Sequence, residues 1–511
     1  MSDVIPARPS TPVKTPLSTL TGWLGDHLVT QPDICVDEHV EVTGLTLSSQ
    51  RVFPGDLYAA LPGARAHGAR FAANAVESGA VAILTDRDGV GLCTDLGVPV
   101  LVVEKPRALL GILAAKVYGE PAKNLRLVAV TGTQGKTTAT RLAEGGLQSA
   151  GIPAAVVGTV GTKIDGVELE TMLTTPEAPD LHALFAVMRE RGVECCVMEV
   201  SSHALVMGRV DGVVFDVAAF TNLGRDHLDF HDDVEAYFAA KASLFTPERT
   251  RRGLVNIDDE YGRRLLAEAS VPTRTFSTSG AGADWMALDV ALSPTGSTFT
   301  VQDPDGRRFP AQVPLTGGFN VANALTAIAA LGEAGFAGPV VAQGIAASTG
   351  VPGRLEQVDA GQDFLAIVDY AHKPDAVTAA LEALRTLTEG RLVIVLGAGG
   401  DRDHGKRAIM GRAAARLADV LIVTDDNPRT EDPARIRAEM LSGAAGVVPA
   451  ERAELHEVGD RREAIRLAVS LAGTGDIVVV AGKGHETGQE ILETVYPFDD
   501  RDVLREELAA R

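Results

Sequence analysis

The chain has 511 residues, too many for one ordinary hydrophobic core, so two to four domains are expected. Its hydrophobic content of 45% with only 5% aromatics, and its 53 glycines, suit α/β layers joined by tight turns. Lys and Arg total 47 against 68 Asp and Glu, a formal net charge of -21, which argues against a nucleic-acid or anionic-lipid surface and requires any anionic ligand to be held by a local basic site. The cysteines are Cys35, Cys93 and the adjacent pair Cys195 and Cys196. They show no zinc spacing and are too few for a disulfide framework, which points to a reducing, cytoplasmic compartment. The opening stretch 1–20 is rich in Pro, Ser and Thr without an apolar centre, and it reads as a mobile tail rather than a signal peptide. No uninterrupted apolar run approaches the ~20 residues of a membrane span.

Along the chain, short apolar runs rich in β-branched residues alternate with Ala/Leu-rich helical stretches. The runs 81–85 and 100–103 form a first block, 127–131, 195–200 and 217–221 a second, and 365–369, 392–396, 420–424 and 477–481 a third. Continuous apolar strands separated by helices predict parallel sheets covered on both faces. Two stretches read as linkers, 119–124 with Pro121 and 349–354 with Gly350, Pro352 and Gly353. They divide the chain into 1–122, 123–350 and 351–511, with no fixed-period repeat.

The strand 127–131 runs into Gly132-Thr133-Gln134-Gly135-Lys136-Thr137-Thr138 and then a helical run. A strand, a glycine loop and a helix start make an anion site, because backbone N–H groups converge on phosphate oxygens and the helix dipole adds to the attraction. Lys136 would reach the β/γ-phosphates of a nucleotide and the Thr137 hydroxyl would ligate Mg²⁺. The full P-loop pattern is not met, since Val130 stands where its first Gly belongs. Two further runs end apolar strands: Met198-Glu199-Val200-Ser201-Ser202-His203 and Thr221-Asn222-Leu223-Gly224-Arg225-Asp226-His227-Leu228-Asp229. Parallel sheets bind ligands at such strand ends. Glu199 and His227 are candidates for a second magnesium, although Mg²⁺ prefers oxygen. Read singly, Ser201 or Ser202 is as well explained as a helix cap, and the Asp-His-Leu-Asp run as a solvated turn.

Taken together, the loop, the Glu-Val-Ser-Ser-His run and the Asn-Leu-x-x-Asp-His-Leu-Asp run resemble the Mur ligase family. So do Gly318-Phe319-Asn320-Val321-Ala322-Asn323, Pro352-Gly353-Arg354-Leu355-Glu356 and Asp369-Tyr370-Ala371-His372. Order and spacing match over nearly the whole chain after about residue 40. The run Asp426-Asn427-Pro428-Arg429, flanked by Gly399-Gly400-Asp401-Arg402-Asp403 and Gly482-Lys483-Gly484-His485-Glu486, is similar to the selectivity motif of the diaminopimelate-adding branch.

The resemblance implies three α/β domains: one for a UDP-sugar, a central P-loop-type ATPase domain, and a Rossmann-like domain for the incoming amino acid. It implies that ATP and Mg²⁺ activate the D-glutamate γ-carboxylate of a UDP-N-acetylmuramoyl dipeptide as an acyl phosphate, which the amine of meso-diaminopimelate attacks. Loop residues Gly132 to Thr138, Asn323, Arg354 and Asp369 would hold the nucleotide, with Asn323 at the adenine. Lys136, Glu199, His227 and Lys241 would be catalytic, with Thr137, Glu199, His227 and Lys241 at the metal. Read by itself Lys241 is a solvated helix lysine; the resemblance implies a carbamylated one, an oxygen ligand beside Glu199 and His227.

Leu47, Ser49 and the turn Ala64-Arg65-Ala66 would meet the UDP-sugar, and Thr174, Thr175, Ser201 and Arg209 the muramoyl peptide. Arg209 is equally readable as an ion-pair partner. Arg429 would grip the amino acid's far carboxylate from a turn shaped by Asp426, Asn427 and Pro428, with Arg402 and Glu486 at its other end and Gly482 among the substrate-binding residues. Three positions depart from the family pattern: Gln134 for the usual Asn, Ser48-Ser49-Gln50-Arg51 for Asp-Ser-Arg, and Met207 where some relatives place Gln. A monomer is expected, in the cytoplasm, in cell-wall precursor synthesis. The alternatives are another amide ligase, such as a folylpolyglutamate synthetase, which should lack the Asp-Asn-Pro-Arg run, and a nucleotide switch. The Asn-Lys-x-Asp base-reading motif of guanine switches is absent from the sequence.

Overall fold

A computed structural model describes residues 8–30, 40–63, 65–169, 171, 173–227, 230–280 and 282–511. Ala64, Leu228 and Asp229 of the motifs above, and Cys35, lie outside the described residues.

The stretch read as a mobile tail is structured from Arg8. Leu17, Leu20 and Leu24 recur one turn apart and are buried on the helix Leu17–Leu24, a helical period that the Pro, Ser and Thr content obscures. Thr15–Pro16 pairs antiparallel with Glu41–Val42. Arg8 reaches Asp56 and the Leu45 carbonyl, both at 3.0 Å. The backbone N–H groups of Ser10 and Thr11 each donate at 2.8 Å to the carboxylate of Glu190, at the end of the central helix Ala178–Glu190.

Three larger sheets follow. The first, in spatial order, is Leu28–Thr30, Val100–Val103, Ala82–Thr85, Asp56–Ala59 and Gly44–Thr46, parallel except for its first strand. The second has eleven strands. Seven of them run parallel: Ala154–Gly158, Cys195–Glu199, Arg126–Thr131, Val217–Phe220, Gly253–Asn256, Thr273–Ser277 and Trp285–Ser293. Antiparallel strands close both edges, Gly161–Ile164 and Val167–Leu169 on one side, Gly296–Gln302 and Arg308–Val313 on the other. One face is covered by Ala139, Leu142 and Leu147 with Val321 to Leu331. The other is covered by Leu181, Leu184, Phe185, Tyr237 and Phe238. Cys195 and Cys196 are free thiols buried in this sheet, and burial pushes Cys196 up to about 12, which disfavours the thiolate that oxidation or metal binding needs.

The third sheet is Glu356–Gln357, Leu365–Asp369, Ile477–Ala481, Leu392–Leu396, Val420–Val423 and Glu454–Glu457, parallel apart from its antiparallel first strand. A hairpin, Gly488–Ile491 with Thr494–Pro497, stands beyond it. Its strands are half-exposed or exposed, so they carry none of the continuous apolar signal of the parallel ones. Among the described residues no helix is long and apolar enough to cross a membrane.

Candidate active site

The C-terminal ends of the parallel strands in the second and third sheets face one cavity of about 740 Å³. Its floor is the glycine loop. Gly132 and Gly135 take φ of 148° and 84°, and Gly135 caps the helix Lys136–Ser149. Both need to be glycine for space as well as φ, since a Cβ would sit 2.0 Å from Thr221 Oγ1 at Gly132 and 2.3 Å from Asn323 Oδ1 at Gly135. The run after the neighbouring strand pins the loop in place: Thr133 N donates to Asn222 O at 2.9 Å, Gln134 N to Asn222 Oδ1 at 2.9 Å, and Thr221 Oγ1 to Gln134 O at 2.7 Å. Gln134 is therefore held through its backbone. Lys136 lies back over the loop, its Nζ 2.9 Å from Gly132 O and 3.2 Å from Thr133 O. Burial lowers its pKa, which marks a cation short of a charged partner.

Glu199 is 1% exposed at its strand end and reaches the cavity. Its carboxylate accepts from Thr159 N at 2.8 Å and Thr159 Oγ1 at 3.1 Å. Thr159 Oγ1 lies 3.1 Å from Thr174 Oγ1. Thr137, Thr174, Ser201, Arg209 and His227 line the same cavity. Burial, then the charges of Lys373 and other neighbours, hold His227 at about 4 despite Asp226 beside it, so the imidazole is neutral at pH 7. Asp226 is pushed up by burial but held down to about 2 by Lys373 and His227, and it pairs with Lys373 across the two sheets.

From the third sheet come Arg354, Asp369, Tyr370, His372 and Lys373. Arg354 Nη2 donates to Thr137 Oγ1 at 3.3 Å, and its guanidinium lies 4.3 Å from the centre of the Tyr370 ring. Arg354 Nε is buried with no hydrogen-bond partner among the described residues. Asp369 accepts from Leu355 N at 2.7 Å and Ala371 N at 2.8 Å, which fixes the crossing from the middle to the last part of the chain. Asn323, Thr138 and Arg402 also line the cavity.

Other expected residues are placed differently. Thr175 is fully buried and its hydroxyl is used internally, donating to Glu199 O at 2.9 Å and accepting from Ser201 N at 3.2 Å, so it stands behind the cavity lining rather than in it. Ser201 caps the helix Ser202–Val206, as its alternative reading had it, while still facing the cavity. Arg209 pairs with Glu177 at 2.9 Å, as its ion-pair reading had it, and also lines the cavity. Leu47 and Ser49, half-buried at the first sheet, do not line this cavity.

Lys241 is no solvated helix lysine. It is 1% exposed, with Nζ donating to Gly132 O at 2.8 Å beneath the loop and 4.6 Å from the centre of the Tyr237 ring. Burial, then the nearby charge of Lys136, drives its pKa well below the ordinary lysine value. The free amine does not line the cavity, and among the described residues no group of three or more His, Cys, Asp or Glu is arranged to hold a metal ion. Of the four residues expected at the metal, Thr137 and Glu199 bring side-chain oxygens to the cavity.

The run Asp426-Asn427-Pro428-Arg429 forms a second cluster, joined to the cavity by the loop that carries Arg402. Asn427 Nδ2 donates to Glu486 Oε2 at 2.9 Å, and buried Lys483 donates to Asn427 Oδ1 at 3.0 Å and Glu486 Oε2 at 3.2 Å. Asp426 is buried beside Lys483 at 3.6 Å, and Gly482, at φ 116°, leaves it room. After Pro428, Arg429 adopts φ 52° and donates from Nη1 to Gly400 O at 2.7 Å. Sequence reasoning missed Thr159, Lys373, Lys483 and Glu490, the last accepting from Arg429 Nε at 3.0 Å. Lys373 and Lys483 lie inside or next to quoted motifs and carried that signal, whereas Thr159 and Glu490 had none.

Three family domain profiles match the chain: a Mur ligase family catalytic domain over 41–118, a Mur ligase middle domain over 130–331, and a Mur ligase glutamate ligase domain over 353–484. A curated protein of Streptomyces avermitilis, UDP-N-acetylmuramoyl-L-alanyl-D-glutamate–2,6-diaminopimelate ligase, is 56% identical, the match covering 98% of each chain. The protein of that name from Corynebacterium efficiens is 50% identical over 96% of this chain and 94% of its own. A solved structure titled with the same ligase is 34% identical with a TM-score of 0.67, covering 98% of this chain and 99% of that one.

Proposed function

The chain belongs to the Mur ligase family, and on that premise we propose that it adds meso-2,6-diaminopimelate to the D-glutamate γ-carboxylate of UDP-N-acetylmuramoyl-L-alanyl-D-glutamate, driven by ATP. The observation that carries this reading is the single cavity in which the phosphate loop meets Glu199 and His227 from its own sheet and Arg354 and Arg402 from the next. A carboxylate is a poor electrophile. Transfer of the γ-phosphoryl group makes it an acyl phosphate, the amine attacks the carbonyl carbon, and phosphate departs as the amide forms.

Each residue has a place in that sequence. The loop N–H groups and Lys136 hold the phosphates, and Lys136 leaves its two carbonyls for the stronger anionic partner. The buried, unpartnered Nε of Arg354 is a donor that a nucleotide would satisfy. Thr137, Glu199 and neutral His227 would hold Mg²⁺, which offsets phosphate charge when bound. Lys241 is the fourth candidate. Its environment favours the neutral amine, the form that adds CO₂, and the carbamate so formed supplies oxygen where the lysine supplied only N–H.

Arg209, Thr174 and Ser201 would position the muramoyl peptide, and Leu47, Ser49 and Arg65 the UDP-sugar on the first sheet. The cluster Asp426 to Arg429 with Gly482 and Glu486 would take the amino acid. The parts 1–122, 123–350 and 351–511 are then the sugar, nucleotide and amino-acid domains of a cytoplasmic monomer in peptidoglycan precursor synthesis, on which cell shape and division depend. The test is phosphate release from ATP with the UDP-muramoyl dipeptide and a panel of amino acids. Release that requires both the dipeptide and diaminopimelate is expected; hydrolysis indifferent to both would overturn the reading in favour of a nucleotide switch.

A further inference from the structure

We propose that Glu490 is a built-in competitor for the far carboxylate of the incoming amino acid at Arg429, and so sets how tightly diaminopimelate is held. The inference rests on the proposed role of Arg429. An arginine presents two edges able to grip a carboxylate with paired bonds, Nε with Nη2 and Nη1 with Nη2. Each edge here has one donor engaged. Arg429 Nε donates to Glu490 Oε2 at 3.0 Å, and Nη1 donates to Gly400 O at 2.7 Å. Nε has a single hydrogen, so a two-bond grip on the Nε–Nη2 edge requires Glu490 to withdraw, whereas a grip on the Nη1–Nη2 edge would have to share Nη1 with the Gly400 carbonyl.

The surroundings decide which. Gly400 is fastened on its other side as well, its N–H donating to Asn427 O at 2.8 Å, so freeing its carbonyl would unseat the loop that carries Arg402. The Glu490 backbone is equally fixed: its N–H donates to Asn427 Oδ1 at 2.9 Å, its carbonyl accepts from Arg429 N at 3.0 Å, and Leu492 N donates to Arg429 O at 2.8 Å. Its side chain is not fixed. It is 39% exposed, against 22% for Arg429, and can rotate into water without moving the hairpin. The Glu486 carboxylate stays with Asn427 and Lys483. Glu490 is therefore the group that yields. Lysine has no far carboxylate, displaces nothing, and gains nothing from the vacated guanidinium edge.

The experiment is steady-state kinetics of Glu490→Gln with diaminopimelate and with lysine, with the same change made on Arg429→Ala. A half-exposed ion pair competes modestly, so KM for diaminopimelate is expected to fall about three- to five-fold at unchanged kcat. The preference for diaminopimelate over lysine should widen, and the effect should vanish on Arg429→Ala. An unchanged or raised KM in Glu490→Gln, or a loss confined to kcat, overturns the inference while leaving the function intact. A parent enzyme that releases no phosphate with diaminopimelate overturns the function and the inference together.

Discussion

Lys136 is half-buried, its ammonium rests on two loop carbonyls, and desolvation lowers its pKa, so the position suits a charge that arrives with the substrate. Lys136→Ala should lose ~3–4 kcal/mol of transition-state stabilisation, on the order of several-hundred-fold in kcat. Near-normal ligation by this variant would remove the loop from the ATP site. For Lys241 the expected result is a nearly inactive Lys241→Ala, partly restored by acetate or formate standing in for the carbamate oxygens. Electron density at the lysine tip of a fully active preparation decides the matter, and a bare amine there would rule the modification out. Arg429→Ala should lower kcat/KM for diaminopimelate selectively, since a planar guanidinium grips a far carboxylate that lysine lacks. The discrimination lost is roughly 10⁴-fold for so polar a site, and equal use of both amino acids by the parent enzyme would refute the assignment. Of these, Lys136 sits in a loop whose chemistry is readable by itself, whereas Lys241 and Arg429 entered only through the family resemblance. Thr159 had neither signal: it orients Glu199 from a turn after another strand, and only the parallel pairing of Ala154–Gly158 with Cys195–Glu199 brings them together.

At the scale of elements, the helices Arg461–Leu471 and Asp500–Ala509 are tied by Arg461 and Asp500, both 0% exposed and 2.6 Å apart. Arg461 also donates to Ala481 O at 3.0 Å, at the end of the strand that leads to Gly482 and Glu486. Removing one member of a fully buried pair strands the other charge, so Asp500→Ala should cost about 3–5 kcal/mol in denaturant unfolding. A loss below ~1 kcal/mol would mean that water reaches Arg461. Parallel strands such as 392–396 and 477–481 were legible because burial on both faces writes an unbroken apolar run, whereas the parallel strands Ala154–Gly158, Gly253–Asn256, Thr273–Ser277 and Glu454–Glu457 were not read. The sheet edges were not. Arg308–Val313 alternates buried and exposed, and the outer half of Trp285–Ser293 is largely open to solvent, so neither carries a continuous signal. The N-terminal helix Leu17–Leu24 was masked by its polar neighbours, and Gly44–Thr46, at three residues, is too short for a pattern.

At the scale of the whole molecule, the cavity depends on the second and third sheets meeting, and few side chains join them. Arg354 reaches Thr137 from the last part of the chain, and Lys373 pairs with Asp226 from the middle part. The second contact places a cation and a carboxylate, 23% and 13% exposed, beside His227. Its pH dependence follows from Asp226. The folded pKa, about 2, lies below the ordinary value near 3.8, so the unfolded chain binds the proton more readily. The contribution is complete above pH ~4 and disappears as pH falls from there towards 2. It is unchanged across the neutral range, where the pair holds, and added salt weakens it because both groups keep some contact with water. Asp226→Asn removes the charge while keeping the size. A partly exposed pair is worth up to ~1 kcal/mol, so the open arrangement of the two parts should rise about five-fold. Limited proteolysis of the connector 349–354 at neutral pH reads this directly: cleavage of Asp226→Asn should be several-fold faster than that of the parent, and high salt should bring the parent towards the variant. Equal cleavage rates at low salt would show that the pair does not hold the two parts together, leaving Arg354 and Thr137 as the joint.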